Sequence, residues 1–204
     1  MDKLKVGVLG LGRGFTHFQN FLAVEEAKVI GACDRFPRLR QRAQDHAASI
    51  DASPRILKEF DELLDLEPDA IVVATNGKLQ VEHGCQALKA GCHVLSEVPG
   101  AYTQEECMRL REIVEYTGKT YMLGENTCYW DFFRYFRKWV AEDRFGPISI
   151  AEGEYIHHLP ATLFRPDSTR YTPTRARAEG HTDVAPIWRA DQPPIQYLTH
   201  DLGP

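Results

Sequence analysis

The chain has 204 residues, 43% of them hydrophobic, enough for a substantial core and for one domain plus part of a second. Its formal net charge of −5 argues against a nucleic-acid or anionic-membrane partner. No apolar run approaches the roughly 20 residues that span a bilayer, and a strand that begins by Leu4 leaves no room for a signal peptide.

Strand and helix signals alternate up to about residue 124. Val6-Gly7-Val8-Leu9 reads as an apolar strand. Gly10-Leu11-Gly12-Arg13-Gly14 follows directly, and a helix is expected from near Thr16 to Leu22. A strand that ends in close glycines and turns into a helix forms a phosphate cradle: the backbone approaches a pyrophosphate, and the helix N-terminus offers N–H groups to the anion. The usual third glycine position, 15, holds Phe15; the third glycine comes one residue early, at Gly14. The second strand, Lys28 to Cys33, ends in Asp34, where an acidic residue typically binds the adenosine ribose hydroxyls. That placement favours NAD over NADP, with Arg35 as the residue that would admit a 2′-phosphate and keep NADP as the alternative.

A polar helix is expected after Pro37, then a short amphipathic turn at Phe60, Leu63 and Leu64. Ala70 to Ala74 is a continuous apolar run, as suits a strand buried on both faces. Val81, Cys85 and Leu88 share a helical face that ends at Gly91, and Val94-Leu95 resumes a strand. Thr103 and Glu106 form a capping-box pattern before a helix carrying Cys107, Leu110 and Val114. Tyr121-Met122-Leu123 closes the series, which implies a doubly wound parallel sheet with helices on both faces over residues 1–124.

After Gly124 the grammar changes, and residues 125–204 are read as part of a second, α+β domain. Asp131 is expected to cap a helix with Phe132, Phe136, Trp139 and Val140 inward, stopped by Gly146-Pro147. Ile148 to Tyr155 alternates like a half-exposed strand; residues 159–196 read as a long excursion rich in Pro and Arg. Tyr155 and His157, two apart on a strand, would share one face and suit acid–base or hydroxyl-binding roles. The spacing of His157, His158, His181 and Asp183 fits no metal-ligand pattern, so no metal site is expected. Five cysteines without paired spacing point to free thiols and a reduced, cytoplasmic setting.

Together with the glycine turn, Ala74-Thr75-Asn76, His83, Ala87 to Leu95, Glu97-Val98-Pro99 and Phe145-Gly146-Pro147-Ile148 resemble the Gfo/Idh/MocA family of NAD(P)-dependent oxidoreductases. The resemblance implies a Rossmann domain followed by a domain with a large, mostly antiparallel sheet. It also implies a carbohydrate or polyol substrate and a homo-oligomer formed through that second sheet. It places Gly10, Gly12, Arg13, Gly14, Asp34, Arg35, Thr75, Asn76, His83, Glu97, Pro99 and Glu125 at the cofactor, and His200, Tyr155 and His157 at the chemistry. Two departures stand out. Val98 takes the slot of the family's motif lysine and can neither donate nor titrate, and the second domain is expected to be about half complete. The segments Glu97 to Tyr102, Glu125 to Tyr129, Glu154 to His157 and Tyr197 to Pro204 are similar to a subgroup of NAD-dependent glycoside hydrolases of the α-N-acetylgalactosaminidase type, with Asp201 at a position that holds glycine there. Three activities therefore stand open: a sugar or cyclitol dehydrogenase, a redox-neutral glycosidase, and a non-catalytic nucleotide-binding protein.

Overall fold

The computed structural model describes residues 2–152, 163–164 and 169–186. Six parallel strands form one sheet: β1 (Leu4–Leu9), β2 (Ala27–Cys33), β3 (Arg55–Leu57), β4 (Ala70–Val73), β5 (His93–Ser96) and β6 (Tyr121–Leu123). Their order is β3-β2-β1-β4-β5-β6, with every adjacent pair parallel. This is the dinucleotide-binding order, in which the chain reverses direction across the sheet between β1 and β4. The helices are α1 (Gly14–Ala23), α2 (Pro37–Ser49), α3 (Phe60–Leu64), α4 (Gly77–Lys89) and α5 (Gln104–Thr117).

Because side chains alternate across a strand, the buried strands feed two cores. Val6, Val8 and Val72 join Phe15, Phe18, Leu39 and Ala43 on the face covered by α1 and α2. Ile71, Val73 and Leu9 join Leu63, Val81, Leu88 and Leu110 on the face covered by α3, α4 and α5. Helix α5 carries the expected capping box, with both Thr103 and Glu106 bonded across its first turn. Strand β3, three residues and only half-buried, shows no apolar run that the sequence reading could detect.

Beyond β6 the expectations need correction. Helix α6 (Asp131–Ala141) starts at Asp131, and no side chain caps it. Its apolar face does not point inward among the described residues: Phe132, Phe136 and Val140 are each about half exposed. The rings pack on one another instead, Phe136 against Trp139 and both against Phe145, with centroids 6.0–6.3 Å apart. The helix ends at Ala141, before Gly146-Pro147, where Glu142 takes over as cap. Ile148 to Glu152 forms no strand. The stretch read as an excursion contains a small antiparallel sheet of two-residue strands, β7 (Leu163–Phe164), β8 (Arg170–Tyr171) and β9 (Ala185–Pro186), with α7 (Pro173–Ala178) between the last two.

Phe18 anchors α1 on the sheet. It is fully buried, with its ring 6.1 Å from Phe15 and 6.4 Å from His46. Phe18→Ala should lower the unfolding free energy by about 3–5 kcal/mol, read from urea denaturation; a loss below about 1 kcal/mol would mean the helix is held elsewhere.

Candidate cofactor and active site

The candidate site lies along the carboxyl edge of the sheet, where open α/β sheets bind ligands. Five adjacent strands each deliver expected residues there. Gly10 to Gly14 follow β1, Asp34 follows β2, Thr75 and Asn76 follow β4, Glu97 follows β5, and Glu125 follows β6.

Each glycine of the turn does something different. Gly10 has φ +90, and a Cβ there would lie 2.6 Å from the Ala74 carbonyl oxygen and 3.2 Å from the Thr75 nitrogen. The turn is therefore wedged against the end of β4, in backbone that only glycine enters easily. Gly14 lets α1 sit close on the sheet, since a Cβ would meet Ala74 Cβ at 2.8 Å and Val8 Cγ1 at 3.4 Å. So Gly14, one residue early, performs the helix-to-strand packing of the usual third glycine, while Phe15 is buried in the core. Around Gly12 nothing lies within 4 Å of a built Cβ. That open space borders the N-terminus of α1, which has no side-chain cap and no acidic residue in its first turn. A dinucleotide pyrophosphate fits there on both size and charge.

Asp34 is buried and already holds the turn. Its Oδ2 accepts from the Leu11 N–H at 2.7 Å and its Oδ1 from the Phe36 N–H at 2.8 Å. A carboxylate oxygen has two lone pairs, so each retains capacity for a ribose hydroxyl. Arg40 Nη1 donates to the Asp34 carbonyl at 2.6 Å, and the exposed Arg35 guanidinium lies 4.6 Å over the Phe36 ring. Neighbouring Cys33 is buried, and that burial, with Asp34 adding, pushes its thiol up to about 12; it has no nucleophilic role at neutral pH.

On the other half of the sheet, Asn76 is spent on capping α4, its side chain accepting from the Lys78 N–H at 3.0 Å. His83 pairs through Nδ1 with the Thr75 hydroxyl at 3.0 Å and packs edge-on against Phe60. Burial lowers its pKa, which keeps the ring neutral at pH 7. It therefore supports Thr75 rather than facing the turn. Glu97 Oε1 accepts from His17 Nε2 at 2.7 Å and from Arg13 Nε at 3.3 Å. Burial raises the Glu97 pKa, but the His17 hydrogen bond and the Arg13 charge outweigh it, so the carboxyl lies below its ordinary value. Pro99 is fully buried and Val98 half-buried in the loop behind it. Glu125 is buried, and its Oε1 accepts from both the N–H and the hydroxyl of Thr127, which opens a 3₁₀ turn at Thr127–Tyr129.

The structure thus brings eleven of the twelve expected cofactor residues to one edge, leaves His83 behind it on α4, and adds His17, which sequence reading missed. Its one local signal is its place in the first turn after the glycine loop. Tyr155, His157 and His200 lie outside the described residues. Among the described residues no group of three His, Cys, Asp or Glu is placed to hold a metal. His181 instead pairs with Glu179 at 3.1 Å, and Arg175 with the same residue at 2.7 Å. No helix among the described residues is long and apolar enough to cross a membrane.

Comparison with known proteins agrees with this geometry. Residues 4–125 match the family model Gfo/Idh/MocA, an oxidoreductase family with an NAD-binding Rossmann fold. Glycosyl hydrolase family 109 protein 2 of Akkermansia muciniphila is 28% identical over the whole of this chain and 42% of its own length. A glycosyl hydrolase family 109 protein of Porphyromonas gingivalis is 31% identical over 78% of this chain and 36% of its own. The chain thus spans well under half the length of these curated relatives. In fold, it superimposes on scyllo-inositol dehydrogenase of Lactobacillus casei, solved with NAD(H) and scyllo-inositol, with TM-score 0.66 and 24% identity, over 72% of this chain and 43% of that one.

The glycines separate binding from folding. Gly12→Val should leave circular dichroism and thermal unfolding essentially unchanged while abolishing NAD binding, because the new side chain enters empty space where the pyrophosphate belongs. Gly10→Ala should instead lose about 1–3 kcal/mol of stability. Calorimetric titration beside melting curves checks both. Unchanged NAD affinity in Gly12→Val would place the phosphates elsewhere.

Proposed function

The chain belongs to the Gfo/Idh/MocA family of oxidoreductases, whose domain is an NAD-binding Rossmann fold, and from that membership we propose that it oxidises or reduces a carbinol carbon of a sugar, cyclitol or related polyol. The observation that carries this reading is the alignment of the glycine turn, Asp34 and Glu97 along one sheet edge, each already fixed by hydrogen bonds or packing. When bound, NAD supplies the two-electron acceptor for that carbon. The chain's own residues do the rest. Gly10 to Gly14 and the α1 N-terminus take the pyrophosphate, Asp34 takes the adenosine ribose, and the loop from Glu97 to Pro99 backs the nicotinamide side. Residues 1–124 would form the cofactor domain, consistent with a sheet whose last strand ends at Leu123. Residues 125–204 would contribute to the substrate side and to a homo-oligomer.

Removing a hydride equivalent from a carbinol carbon requires a base for the hydroxyl proton. The motif lysine cannot serve, since its slot is Val98. We assign that proton to His200, with Tyr155 and His157 as neighbouring hydroxyl-binding or acid–base groups. The buried, free Cys33, Cys85 and Cys92 support a reduced, cytoplasmic setting.

A second reading has its own support. Val98 and the family 109 relatives, one aligned over the whole chain, favour a redox-neutral glycosidase: oxidation at the sugar, elimination of the aglycone, hydration and re-reduction. The opening step is the same, so one assay separates the outcomes. With NAD present, polyols and nitrophenyl glycosides are offered in turn. NADH accumulation identifies the dehydrogenase, and nitrophenol release without net NADH identifies the glycosidase. Binding of NAD with neither product would reduce the protein to a nucleotide-binding module. In the active assay, His200→Ala should cut turnover roughly 10²–10⁴-fold with NAD affinity little changed. Full activity in that variant, with loss in Tyr155→Phe, would transfer the base role to the tyrosine.

Cofactor choice follows from Asp34. Its buried carboxylate would repel a 2′-phosphate, so NAD should bind more tightly than NADP in direct titrations. Equal dissociation constants would show that Arg35 swings from Phe36 to neutralise the phosphate.

A further inference from the structure

The contact between α1 and the end of β5 crosses the middle of the sheet, where β1 pairs with β4. Arg13 and His17 belong to the half formed by β1, β2 and β3, which carries the adenosine site. Glu97 belongs to the half formed by β4, β5 and β6. The crossover between them is the place where a dinucleotide passes from one half to the other. Both contacts fall on the same atom, Oε1, at 2.7 Å from His17 and 3.3 Å from Arg13. Among the described residues no hydrogen bond reaches Oε2. The Glu97 side chain is 11% exposed, so this is a largely desolvated carboxylate with one oxygen pinned and one to spare.

The two partners differ in how firmly they hold. The Arg13 side chain is 65% exposed and its contact is long, whereas His17 is 23% exposed and its contact is short. A short bond to a shielded carboxylate is the stronger positioning force, because screening is weak there and the geometry is tight. The half-buried Val98 next door offers no competing donor.

We propose that His17 is a positioning residue for the nicotinamide half of the cofactor site: by holding Glu97 Oε1 it keeps Oε2 available to hydrogen-bond donors of the nicotinamide riboside. The inference rests on the reading of this edge as a dinucleotide site. It also explains how Glu97 stays anchored when the adjacent motif position is an uncharged valine: the donors come from across the crossover, on α1.

The test uses two ligands that share the adenosine and pyrophosphate groups. ADP and NAD are titrated calorimetrically into the wild-type chain, His17→Ala, His17→Gln, Glu97→Ala and the double variant His17→Ala/Glu97→Ala. His17→Ala should weaken NAD about tenfold or more while ADP stays within about twofold, showing an intact fold and phosphate site. His17→Gln, which keeps a donor, should recover most of the loss. In the Glu97→Ala background, His17→Ala should cost nothing further, since its effect passes through Glu97. Equal weakening of ADP and NAD would overturn the inference, because His17 would then serve the pyrophosphate or the fold. So would an unchanged NAD affinity, or additive losses in the double variant. A wild-type chain that binds ADP but gains nothing from the nicotinamide riboside would remove the dinucleotide reading itself, a result distinct from any behaviour of the variants.

Discussion

The structure depends on the jam between the glycine turn and the end of β4. Gly10 occupies backbone with φ +90 and leaves no room for a side chain against Ala74 and Thr75. Its N–H donates to the Cys33 carbonyl at 2.8 Å, and the next N–H, of Leu11, donates to Asp34. One short turn is thus tied to three strand ends: its own, β2 and β4. That is why a loop, usually the mobile part of a domain, serves here as a rigid platform. Beside these tied residues, the space around Gly12 stays open. Preorganisation of this kind lowers the ordering cost that a bound phosphate would otherwise incur.

The same logic extends along the edge toward β6, with different chemistry. On the adenosine side the anchoring groups are backbone amides and one carboxylate. On the other side they are side chains that hold side chains: His83 on Thr75, His17 and Arg13 on Glu97, Thr127 on Glu125. None of these contacts needs the motif lysine that Val98 replaces. The family's Rossmann scaffold is preserved while the titratable side chain at the motif position is absent. Helix α6, with its stacked and half-exposed aromatic face, follows β6 in the chain.

The Rossmann half was readable because its signals are local. Buried parallel strands are apolar runs, the glycine turn sits at a fixed place after the first of them, and Thr103 with Glu106 announces a helix start. β3 was not readable, since three half-buried residues at a sheet edge carry no periodic signal. The inward face expected of α6 is half exposed among the described residues, since amphipathic spacing does not say what covers a face. The role of His17 was invisible for a different reason. Its partner is 80 residues away, and a pairing of that range leaves no trace in local sequence. Asp34 was half legible: its place at the end of β2 was visible in the sequence, whereas its bonds to Leu11 and Phe36 emerge only when the strand ends meet.

The central claim is that one rigid sheet edge holds a dinucleotide with its pyrophosphate at Gly12 and its nicotinamide on the Glu97 side. A crystal structure of this chain with NAD tests it most directly. The account requires pyrophosphate oxygens within hydrogen-bonding distance of the backbone N–H groups between Gly12 and Phe15, the adenosine ribose on Asp34, and Gly10 unmoved against Ala74. A cofactor bound in the opposite direction, with adenosine over β5 and β6, or bound away from the glycine turn altogether, would contradict it.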